Sequence, residues 1–97
     1  MNIQRQGRWL YGAATYLPVD IVSLNYDFWY ELAKADHQLE PDEHPTPLNA
    51  EGVLYYYRYR QAAKPSASVC PDSIGYTEIE DAMKAAEERS PSPIQWD

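Results

Sequence analysis

A single cysteine, Cys70, stands in a chain of 97 residues. An intrachain disulfide is therefore impossible and a zinc site built on several thiolates is excluded, which makes a reducing cytoplasm the expected compartment. No apolar run approaches the roughly 20 residues needed to cross a bilayer, so a membrane protein is not expected. The apolar stretch that follows the basic N-terminal residues is broken by Gly12 and Thr15 and has no small-residue cleavage signal, which speaks against an export leader. Glycines are few and stand apart, at 7, 12, 52 and 75. No loop can thus cradle a phosphate, and neither a dinucleotide fingerprint nor a Gly-x-Ser-x-Gly elbow is present. Basic residues are scarce, with eight Lys and Arg against fifteen Asp and Glu, for a net charge of −7. Such a field repels nucleic-acid backbones and suits either plain solubility or a basic partner.

What is present is ordinary for one small folded domain over 1–97: 44% hydrophobic and 24% charged residues, in a length that supports one core and not two. The unusual feature is nine Tyr and three Trp against one Phe. Most of the large side chains therefore carry a polar handle on an apolar ring, which suits a thin domain with one half-wet face, or an interface. The charge is unevenly placed. Through residue 35, Arg5, Arg8 and Lys34 balance Asp20, Asp27 and Glu31, and the rest of the chain carries the excess.

Residues 8–17 are rich in strand-favouring aromatics and predict a first strand that stops at Pro18, with Gly12 marking a bulge or a close approach. From 22 to 32 the even positions are Val, Leu, Tyr, Phe, Tyr and Leu while most odd positions are polar, a period of two that predicts a second strand. The link at Pro18-Val19-Asp20 would make the two a hairpin. Residues 26–37 also satisfy a helix capped by Asn25, with Phe28, Leu32 and Ala35 on one stripe. The Pro-rich acidic stretch 36–52 predicts a long loop, and 61–75 a second irregular connection. Between them 53–60 predicts a third strand with Val53, Tyr55, Tyr57 and Tyr59 on one face and Leu54, Tyr56, Arg58 and Arg60 on the other. Thr77 and Glu80 form a capping-box pattern for a helix that runs to Ser90, before Pro91, with Ile79, Ala82, Met83 and Ala86 as its stripe. Ile94 and Trp96 alternate as a short edge strand would.

These elements predict an α+β fold: an antiparallel sheet of three to four strands with one helix from the C-terminal half packed on its Tyr-rich face, a two-layer sandwich. The second sheet face, with Arg58 and Arg60, is left without a cover, and an uncovered aromatic face of this kind signals an interface. Trp29, Tyr57, Arg58 and Arg60 are the expected interface residues, and a homodimer is the expected assembly. An acidic inhibitor or immunity-type protein, using the loop and helix carboxylates against a basic site, is the second expectation. The third is a small ligand-binding or metal-binding domain built on 36–51, where His37, Glu40 and His44 supply suitable donor types at a spacing that matches no common site. Cys70 lacks an evident activating neighbour, no cofactor is implied, and a non-enzymatic protein is the expectation.

Overall fold

The structure is a computed structural model and describes residues 2–12, 14–59 and 70–97. Arg60 and most of the 61–75 connection lie outside the described residues. Four strands, β1 (Asn2–Tyr11), β2 (Thr15–Leu24), β3 (Leu54–Tyr59) and β4 (Ile94–Trp96), form one antiparallel sheet in the order β3-β2-β1-β4. Helix α1 (Phe28–Ala35) follows β2, and helix α2 (Ile79–Arg89) lies between β3 and β4. The α+β sandwich, with a helix on the sheet, is thus the architecture.

The first hairpin exists but is displaced from the predicted one. Its turn begins at Gly12, whose φ of +64° is a conformation glycine adopts without strain, and Pro18 stands within β2 opposite Arg8. Residues 8–17 therefore straddle two strands, and 22–32 is not one extended ribbon. The strand stops at Leu24, whose partner Leu54 is the first residue of β3, so β3 offers it no further partner. Past that point local chemistry decides. Asp27 caps a helix, its Oδ1 accepting from the Tyr30 N–H at 3.2 Å, and Glu31, Leu32, Ala33, Lys34 and Ala35 are all favourable helix residues. The cap is Asp27 rather than Asn25. The helix closes on His37, which sits at φ +56° while its N–H bonds to Lys34 O and the Gln38 N–H to Ala33 O. These two bonds are those of a left-handed helix stop, so His37 has a backbone task where a glycine is usual.

The cap of helix α2 falls one residue later than predicted. Glu78 occupies the cap position without a side-chain bond, so the Thr77–Glu80 capping box does not form. Instead Asn49 Nδ2 donates to Thr77 O, while Asn49 Oδ1 accepts from the Glu51 and Val53 N–H groups. A loop side chain thus ties the start of α2 to the start of β3. The predicted stop before Pro91 holds, with Ser90 as C-cap.

The core has two parts, one on each side of the sheet. Beneath α2, Ile21 and Tyr57 meet Ala82 and Ala86, with Tyr55, Tyr59, Ile94 and Trp96 around them. The small residues of α2 let it lie close to the tyrosines, as the narrow stripe requires. On the other side Val22, Leu24, Leu54 and Tyr56 form a second cluster against Phe28 of α1. Val19 to Leu24 are buried at every position, so this half of β2 is covered on both faces. The same cover extends to the cross-strand pair Asp20 and Arg58, whose ion pair spans 2.8 Å at side-chain exposures of 0% and 11%. The expectation of an uncovered face bearing Arg58 is therefore overturned. A guanidinium that meets a carboxylate directly opposite it can be taken out of water, whereas an unpaired one cannot.

Burial leaves a signature on the tyrosines. The Tyr59 phenol is pushed up to about 12, by burial first, then by the neighbouring Tyr57, with Arg89 pulling downward and Asp72 upward. Tyr56 and Tyr76 are also raised, burial again being the largest cause. A phenol that holds its proton more tightly folded than unfolded contributes stability in full below the unfolded value of about 10, and that contribution is lost as pH rises through the folded value. The denaturant midpoint is therefore expected to stay level up to about pH 10 and to fall between about 10 and about 12. A midpoint indifferent to pH across that window would contradict the assignment.

Candidate partner-binding surface

Helix α1 carries an apolar stripe of Phe28, Trp29 and Leu32, yet none of its residues is buried. Phe28 is half-buried against the second core cluster, with its N–H donating to the Tyr56 hydroxyl at 2.9 Å. Trp29 and Leu32 point to solvent at 40% and 42% exposure. Close by stands Ile74, the most exposed large apolar residue at 65%. Trp29 and Ile74 line one shallow cleft of 220 Å3 together with Tyr30, Glu43 and His44.

The elements that build this surface hold it firmly. Trp29 Nε1 donates to Ser73 O at 2.7 Å, which pins the ring beside the 72–76 segment. That segment in turn closes the outer edge of β3: Tyr55 and Tyr76 exchange backbone bonds, Asp72 N–H donates to Tyr57 O, and Ser73 Oγ accepts from Tyr57 N–H. Asp27 serves two masters, since its Oδ2 accepts from Thr46 N–H at 2.8 Å while its Oδ1 caps α1. The long 36–52 stretch is thus fastened at Asp27 and at Asn49, and the cleft walls are set by backbone bonds rather than by loose side chains.

The electrostatics are one-sided. Between 27 and 52 the chain carries Asp27, Glu31, Asp36, Glu40, Asp42, Glu43 and Glu51 against Lys34. Asp36, Glu40, Asp42 and Glu43 are all exposed. Asp27 and Glu43 line the cleft with Trp29 and Ile74, so the apolar patch carries carboxylates at its edge.

The expected site residues are distributed differently from the sequence reading. Trp29 sits on α1 and not on a sheet face. Tyr57 is internal, at 7% exposure beneath α2, and Arg58 is internal with Asp20. Tyr57 and Arg58 therefore belong to opposite sides of β3 and to the core, and Arg60 lies outside the described residues. His37, Glu40 and His44 are exposed, but among the described residues no three His, Cys, Asp or Glu side chains come together as a metal site requires. The His37 backbone forms the helix stop, Glu40 N–H donates to Glu43 Oε2 at 3.2 Å, and His44 joins the Trp29 cleft. Ile74 was not legible as a site residue, because it stands alone in an irregular stretch with no periodicity. The 28, 29, 32 spacing on a helix was the available signal for α1.

Among the described residues no helix is long and apolar enough to cross a membrane. Comparison of the chain with protein-family models, with curated proteins and with solved structures gives no significant match.

Proposed function

We propose that this protein is a non-enzymatic interaction module that docks a basic polypeptide on the α1 surface, with an apolar side chain of the partner against Trp29 and Ile74. The observation that carries the reading is an amphipathic helix none of whose residues is buried by its own chain. An eight-residue helix is marginal in water and normally draws its stability from packing its apolar face. Here capping by Asp27, the stop at His37 and the Phe28 anchor hold it instead, which leaves Trp29 and Leu32 free to meet another surface. A Trp with a fixed ring and a wet face is the type of residue that dominates binding energy.

The acidic surround decides the partner's charge. Carboxylates around the patch steer a Lys- or Arg-bearing segment toward it and repel an acidic one. For the same reason a second copy is the poorer occupant, since a symmetric pairing would set the acidic rims against each other. The inhibitor-type reading is a special case of the same chemistry, in which the basic segment belongs to an enzyme's working site.

A synthetic Leu/Lys amphipathic peptide and its Leu/Glu counterpart test the proposal by fluorescence anisotropy at low and high salt. The Leu/Lys peptide is expected to bind, more weakly as salt rises, and the Leu/Glu peptide not to bind. Trp29→Ala is expected to weaken binding about tenfold or more. Leu32→Ser, which touches no hydrogen bond of the fold, should weaken it in the same direction, and Glu43→Lys should flatten the salt dependence. Equal binding by both peptides, or by wild type and both apolar variants, would overturn the reading. A concentration-dependent dimer that Leu32→Ser dissolves would replace it by self-association.

A further inference from the structure

A second cleft, of 440 Å3, opens where the sheet runs past the C-terminal end of α2. It is walled by Trp9 and Tyr11 of β1, Leu17 of β2 and Tyr59 of β3, with Asp72 and Arg89 among its polar lining. Its volume lies within the range of small-molecule sites. The Tyr11 and Tyr59 rings both stand edge-on to Trp9, at centroid distances of 5.8 and 6.0 Å and interplanar angles of 88° and 89°. Aromatic walls at right angles let an entering ring stack on one and meet the other by its edge.

The polar groups at this cleft are unequally engaged. The Tyr59 hydroxyl is committed to Ala86 O, and Asp72 Oδ2 accepts from Tyr59 N–H at 2.7 Å, which leaves Oδ1 without a partner among the described residues. Trp9 Nε1 is shielded from solvent and has no acceptor among the described residues. Arg89 forms no ion pair among the described residues. The cleft therefore offers aromatic walls, a guanidinium without an ion-pair partner among the described residues and one carboxylate oxygen in the same condition.

From this complement we infer that the cleft binds a small aromatic zwitterion of the aromatic α-amino acid class, its carboxylate on Arg89, its ammonium on Asp72 and its ring among Trp9, Tyr11 and Tyr59. A simple aromatic anion fits less well, because Asp72 and the overall charge of −7 oppose it. A neutral zwitterion enters without that penalty and uses both charged groups. The site is separate from the α1 surface, and the two readings stand or fall independently.

The probes are L-phenylalanine and three relatives that each remove one feature: N-acetyl-L-phenylalanine without the ammonium, phenylethylamine without the carboxylate, and L-leucine without the ring. Titrations of the full chain are followed by calorimetry and by the NMR signal of the Trp9 indole N–H, assigned with Trp9→Phe. Phenylalanine is expected to bind and to move that signal, and each relative to bind about tenfold or more weakly. Arg89→Gln should bring phenylalanine down to the level of phenylethylamine and leave phenylethylamine itself unchanged. Asp72→Asn should do the same for the N-acetyl pair. Both charged residues are exposed, so neither change is expected to unfold the chain. Leu32→Ser, at the other surface and with no hydrogen bond to the 72–76 segment among the described residues, should leave phenylalanine binding as it was. No binding of phenylalanine at millimolar concentration, or binding that ignores both Arg89→Gln and Asp72→Asn, would overturn the assignment.

Discussion

Replacing Asp20 by Ala is expected to destabilise the fold by about 3–5 kcal/mol, the loss typical when one partner of a buried ion pair is removed. Asp20 is fully buried, and Arg58 reaches it at 2.8 Å from the facing position of β3. Without the carboxylate, the guanidinium would lose its facing charge partner while its side chain stays almost wholly out of water. Arg58→Leu should be costly for the mirror-image reason, since it removes the facing cation from a fully buried carboxylate. The informative variant combines Asp20→Leu with Arg58→Leu. It should lose much less than the sum of the single changes, because two apolar side chains of suitable size replace a pair whose own desolvation is expensive. Urea unfolding of the wild type, Asp20→Leu, Arg58→Leu and the double variant gives the coupling directly. Additive single effects would mean that the pair is not the unit of stability at this position.

Tyr56 is the second point where a single change should be felt most. Its ring is fully buried in the cluster with Val22, Leu24 and Leu54, and its hydroxyl accepts from Phe28 N–H at 2.9 Å while donating to Tyr26 O at 3.2 Å. Tyr56→Ala is expected to cost about 3–5 kcal/mol, through lost burial and the cavity left behind. Tyr56→Phe keeps the ring and removes only the bridge to the segment that leads into α1. Its expected cost is about 1–3 kcal/mol, that of leaving Phe28 N–H and Tyr26 O without their partner. Because the bridge sits at the first residue of α1, Tyr56→Phe should also speed hydrogen exchange of the α1 amides while those of β1 and β2 change little. Exchange that rises equally everywhere would show that the hydroxyl stabilises the whole fold and does not specifically seat the helix.

Seating of α1 links packing to the proposed activity. The proposed docking surface depends on Tyr56 and Asp27, which hold the first turn of the helix, one through its hydroxyl and the other through its carboxylate. Exposed apolar side chains on a helix so held keep their positions before a partner arrives, which reduces the ordering that binding would otherwise require.

Where the sequence spoke through local rules, its message held. Alternation at 53–60 marked β3 on both of its faces, Ala82 and Ala86 at helical spacing marked the contact of α2 with tyrosines, and Pro91 marked where α2 ends. The errors arose where two local codes coincide. Residues 22–32 alternate as a strand does and also carry Phe28, Trp29 and Leu32 at helical spacing, and composition alone cannot say which period applies. The end of the available pairing partner at Leu54 settles it, and that is a property of the sheet. The Thr77–Glu80 pattern also failed: Glu78 takes the cap position, and Asn49, distant in sequence, donates to Thr77 O.

By itself, then, the sequence determined the α+β class, the Tyr-rich strand, the small-residue helix that packs on it and the concentration of negative charge after residue 35, all of which follow from side-chain period and composition. Only the tertiary structure decided which surfaces stay open. It placed Arg58 inside by setting Asp20 opposite it, left Trp29 and Ile74 outside on a shared cleft, and joined Trp9, Tyr59, Asp72 and Arg89 around another. Exposure depends on what the rest of the chain brings against a residue, and no period in the local sequence carries that information.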